Sequence, residues 1–117
     1  MAKNKRPGIY QQLQNSYPNY LAAVEALGQA IHAAGPLDEK TAHLVQLAAA
    51  AAVHSEGAVH SHVRRAQQAG VTAQEIRHAL ISITSTIGFP SVVAALSWAT
   101  DVLETEKPGK KRAGKKK

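Results

Sequence analysis

The chain has no cysteine among its 117 residues. That excludes a disulfide, a thiolate metal site and any thiol nucleophile or thiol redox centre. Aromatic side chains are scarce as well, with one Phe, one Trp and three Tyr, so large buried anchors are few. Apolar residues still make up 44% of the chain, but many are alanine, which favours helix and buries little area per residue. No apolar run is long enough to cross a bilayer, and no membrane partner is expected. The stretch from Ala2 to Tyr10 is polar and basic, unlike a signal peptide, and a cytoplasmic location is the expectation.

What charge there is sits at the ends. Lys3, Lys5 and Arg6 open the chain, and seven basic residues fall between Lys107 and Lys117. Residues 7–106 then hold four basic and eight acidic side chains, so the body is mildly acidic although the whole carries +6. The pattern predicts a disordered basic arm over 1–8, one helical domain over 9–106 and a disordered basic tail over 107–117. Such tails attract nucleic acid weakly, but a solubilising role is the plainer reading.

Apolar spacing predicts an all-α domain of five or six helices. A short helical turn is expected from Ile9 to Gln14. A first full helix starts at Pro18 and carries the stripe Tyr20, Val24, Leu27 and Ile31, until Gly35-Pro36 ends it. Asp38 caps a helix reaching Val53, and Ser55 caps another running from 56 to 69. These two are expected to pack as a central antiparallel hairpin. Thr72 and Glu75 form a capping box that launches a helix with the stripe Ile76, Leu80, Ile83 and Ile87. Gly88 stops it, and Pro90 starts the last helix, with Val92, Leu96, Ala99 and Leu103 on one face. Trp98 and the alanine-rich stripes leave apolar surface unaccounted for, so a homo-oligomer is expected.

The chemistry-bearing stretch is His54 to Ala66. On a helix, His62 shares a face with Val59 and Ala66, whereas His60 points with Arg64 and Gln67. His62 is thus either a core histidine with a satisfied hydrogen bond or a buried acid–base group. His43, Leu47, Ala50 and His54 make a stripe on the preceding helix, which would let His43 approach His62. His60 and His62 diverge on a helix, no i, i+4 His/His or His/Glu pair marks a preformed site, and neither a metal nor a cofactor is expected.

The run His62-Val63-Arg64-Arg65-Ala66, continuing to Gly70-Val71-Thr72 and Glu75-Ile76, resembles a segment of the carboxymuconolactone decarboxylase / alkylhydroperoxidase-D-like family. Pro36 to Thr41 resembles the family's opening, and Gly88-Phe89-Pro90 with Ala94-Ala95-Leu96 its closing helices. The likeness spans roughly residues 18 to 105. It implies the alkylhydroperoxidase-D-like helical fold, and self-assembly as a dimer or a trimer of dimers. It also implies where the peroxidase branch keeps its paired thiols, which fall at Ser55 and Ala58 here, and its relay carboxylate, which falls at His43. Of that relay only His62 survives, so the chain is expected to be a cysteine-less member without thiol peroxidase activity. The decarboxylase branch often has a glutamate where this chain has Ala58, and Glu56 is the nearest carboxylate.

These residues leave three readings. One is a decarboxylase-like enzyme, or a binder, acting on a small organic acid through His62, with His43, Ser55 and Glu56 as the other candidate residues. Arg64 is considered as the carboxylate holder, although it faces away from His62 within one chain. The second is a non-catalytic oligomeric scaffold. The third is nucleic-acid binding: Ala66 to Thr84 superficially resembles a helix-turn-helix, but its second helix offers only Gln74, Arg77 and His78 to base edges.

Overall fold

A computed structural model describes residues 8–105. The basic arm expected over 1–8, Gly8 apart, and the basic tail over 107–117 lie outside the described residues. The described residues form six helices of eight residues or more and one four-residue helical turn, with no strand. They fall into two compact units that meet between Leu37 and Asp38 in the sequence.

The first unit holds α1 (Ile9–Ser16) and α2 (Pro18–Ala33). Tyr17 separates them, and Pro18 takes the first helical position, where its missing N–H is no loss. The Tyr10 hydroxyl donates to Glu25 Oε2 at 3.0 Å, which ties the two helices together. The stripe Tyr20, Val24, Leu27 and Ile31 is exposed, and Leu21 is the buried residue of α2. The apolar spacing was therefore a sound guide to helix but not to burial.

The second unit holds α3 (Glu39–Ala52), α4 (Glu56–Gln68), α5 (Ala73–Ser82), α6 (Thr84–Ile87) and α7 (Phe89–Thr105). The Asp38 side chain accepts from the Thr41 N–H at 2.8 Å and Ser55 Oγ accepts from the Ala58 N–H at 3.3 Å, so both expected N-caps are present. Residues 53–55 connect α3 to α4, and the two helices pack against each other. Their apolar faces meet α5 and α7 in one core built on Leu47, Val59, Val63, Ile76, Leu80 and Ala99, all fully buried.

The single helix expected from Ala73 to Ile87 breaks at Ile83, where the backbone leaves helical geometry (φ −97°, ψ 12°). Two hydroxyls turn back onto the chain there. Ser82 Oγ donates to the His78 carbonyl at 2.7 Å, and Thr84 Oγ1 to the Ile81 carbonyl at 2.6 Å. Such back-bonding, in a run rich in β-branched residues, competes with the helical ladder. Ile76 and Leu80 stay fully buried, while Ile83 and Ile87 beyond the break are half-buried.

Candidate functional site

α3 brings His43 to the core side of the molecule. It lies one turn before Leu47 and two turns before Ala50, and it is 8% exposed, the one buried polar residue among those described. Its Nε2 lies 3.8 Å from Glu39 Oε2, one turn back on the same helix. The fourth member of the expected stripe, His54, leaves it. His54 sits past the end of α3 with φ 59°, exposed, and its Nε2 lies 3.3 Å from Ser91 Oγ.

The start of α3 and the end of α4 border a solvent-open cleft of about 480 Å³. Glu39, His43, Arg65, Gln68 and Ala69 line it. The set combines a guanidinium, a buried imidazole, an amide and one carboxylate. A guanidinium presents paired N–H donors that match a carboxylate or phosphate edge, and an imidazole can take or give a proton near neutral pH. The helix that supplies Glu39 and His43 is anchored by the Asp38 cap. Hydrogen bonds from the Thr41 side chain and then its backbone N–H hold the Asp38 carboxyl below its usual range.

The four candidate residues are dispersed. His43 lines the cleft. Ser55 caps α4 with its hydroxyl. Glu56 is exposed in the first turn of α4, on the side of His60. His62 is half-buried and is not among the residues that line the cleft. His62 lies at the edge of the core arc that Val59, Val63 and Ala66 centre, so its ring is partly exposed while its Nδ1 is buried.

Sequence reasoning overlooked Arg65 and Gln68, which reach the cleft where Arg64 does not. It also overlooked two i, i+4 Glu/His pairs, Glu39–His43 at 3.8 Å and Glu56–His60 at 4.0 Å. The signal was the four-residue spacing itself, which stacks side chains on one helix face. The second pair has a further member that no local pattern gives. His60 Nε2 lies 3.2 Å from Asp101 Oδ2 on α7.

The family model of the carboxymuconolactone decarboxylase family matches residues 18–101. No curated protein and no solved structure matches the chain significantly.

Proposed function

We propose that this chain, which belongs to the carboxymuconolactone decarboxylase family, binds a small organic acid in the α3–α4 cleft and does no thiol peroxidase chemistry. The observation that carries the reading is the buried His43 imidazole lining the same cleft as the Arg65 guanidinium. Arg65 pairs with the ligand's carboxylate, and the Gln68 amide orients its polar end. Glu39 places its carboxylate 3.8 Å from the His43 Nε2, on the same edge of the cleft. A catalytic form of this reading is a decarboxylation. The bond from the carbon framework to the carboxylate breaks, CO2 leaves, and the electron pair left on carbon takes a proton from an imidazolium. His43 is the nearer donor to the cleft, with His62 as the family's alternative.

The test is calorimetric titration with short mono- and dicarboxylic lactone acids. Arg65→Ala should abolish the binding heat, Arg64→Ala should leave it, and circular dichroism should show both variants folded. His43→Ala and His62→Ala separate the two imidazoles: loss of binding heat in the first alone assigns the ligand contact to the cleft histidine. Equal binding in wild type and Arg65→Ala would sink the reading.

The same reading includes self-association. Tyr20 and Leu27, each 60% exposed, and Ile31, 51% exposed, give α2 an apolar surface of the kind that a second copy covers. Sedimentation showing only a monomer at micromolar concentration would remove this part and leave the cleft proposal standing.

A further inference from the structure

Glu56, His60 and Asp101 form a second cluster that shares no residue with the cleft. Each offers one donor atom, and the three atoms lie within 4.8 Å of one another. Two come from successive turns of α4 and the third from α7. The helices that carry them are held firmly. Val59, next to His60, and Val63, almost one turn on, are fully buried, and Val102, next to Asp101, is buried as well.

The three side chains already make a polar cluster around one imidazole edge. A protonated imidazole has one N–H at Nε2. It can serve Asp101 at 3.2 Å, which leaves Glu56 at 4.0 Å and brings two like-charged carboxylates to one point. A dication placed between them would meet two carboxylate oxygens and one imidazole nitrogen. Tetrahedral zinc with ligand bonds of about 2.0–2.2 Å needs donors about 3.3 Å apart, so the His60–Asp101 pair already has that spacing and Glu56 closes on it by rotating an exposed side chain. An imidazole in the donor set favours a first-row transition ion over magnesium or calcium, which prefer oxygen ligands alone.

We propose that Glu56, His60 and Asp101 bind one Zn²⁺ ion that bridges α4 and α7, with the fourth position left to solvent or a small anion. The experiment uses the full chain stripped with chelator and titrated with Zn²⁺ alone by equilibrium dialysis, with Co²⁺ absorption as a second readout. One ion per chain is expected, with a tetrahedral Co²⁺ spectrum. His60→Gln and Asp101→Asn should each weaken Zn²⁺ binding by more than the roughly 10–100-fold that changes behind a ligand cause. His78→Gln, at an exposed histidine on α5, should leave it unchanged. If His60→Gln unfolds, Asp101→Asn and Glu56→Gln decide, since both replace exposed side chains. No ion bound by the wild type, or undiminished affinity in the ligand variants that fold, overturns the proposal.

Discussion

Thr72 and Glu75 exchange two hydrogen bonds at the start of α5. The Glu75 N–H donates to Thr72 Oγ1 at 3.0 Å, and the Thr72 N–H donates to Glu75 Oε1 at 2.9 Å. This reciprocal box satisfies two backbone donors that the helix cannot satisfy itself. It fixes the angle at which α5 enters the core, where Ile76 follows immediately and is fully buried. Thr72→Ala should lower unfolding stability by about 1 kcal/mol in urea. A change well below that would mean the box is not a significant anchor.

Acid should weaken this fold through its caps. The backbone N–H of Thr72 holds the Glu75 carboxyl below its ordinary value of 4.5, and Thr41 does the same for Asp38 below 3.8. A carboxyl whose folded pKa is depressed contributes stability above its unfolded pKa. That contribution fades as pH falls through the folded value. Unfolding midpoints should therefore fall as pH drops below about 4.5, and the double variant Asp38→Asn, Glu75→Gln should flatten this acid limb. A limb of unchanged slope would assign acid sensitivity elsewhere.

Leu47 is fully buried on α3 at the centre of the core. Leu47→Ala should cost about 2–5 kcal/mol, the usual range for a buried leucine cut back to alanine. The check is chemical denaturation with an unchanged m-value, so that the loss is read as stability and not as altered compactness.

Two glycines should respond with opposite signs. Gly88, between α6 and α7, has φ 97° and ψ 151°, a region essentially closed to other residues. A Cβ there meets nothing closer than Pro90 Cδ at 3.9 Å, so the cost is in the backbone and not in crowding. Gly88→Ala should destabilise by about 1–3 kcal/mol. Gly28 lies inside α2 with nothing within 4 Å of an added Cβ. Gly28→Ala should stabilise its helix by roughly 0.5–1 kcal/mol. Thermal unfolding followed by circular dichroism compares the two directly.

The purified chain should reduce no alkyl hydroperoxide in the presence of a dithiol. Ser55 and Ala58 stand at the thiol positions implied by the family resemblance, and the sequence contains no cysteine. The Ser55 hydroxyl is engaged as a helix cap, and it has no redox chemistry to offer. Turnover by metal-free protein would contradict this.

Local chemistry was enough to read where most helices start, though not the break at Ile83. Pro18, Asp38, Ser55 and the Thr72/Glu75 box mark their starts in the sequence, because a cap acts through backbone groups three residues away and needs nothing distant. The family segment from His62 to Ile76 was legible for the same reason: it lies in one continuous stretch of chain. Burial was not legible to the same degree. The apolar stripe of α2 and the stripe of α5 look alike in sequence, yet Leu27 is 60% exposed and Leu80 is fully buried. Periodicity says which residues share a face, not whether another helix covers it. The site depended on tertiary structure still more. Arg65 rather than Arg64 reaches the cleft, because a step of one residue turns a side chain by about 100° around the helix. His60 meets Asp101 only because α4 packs on α7, which brings together side chains 41 residues apart. No local pattern encodes that meeting. It follows from the buried faces of two helices, and the polar groups beside those faces are carried along.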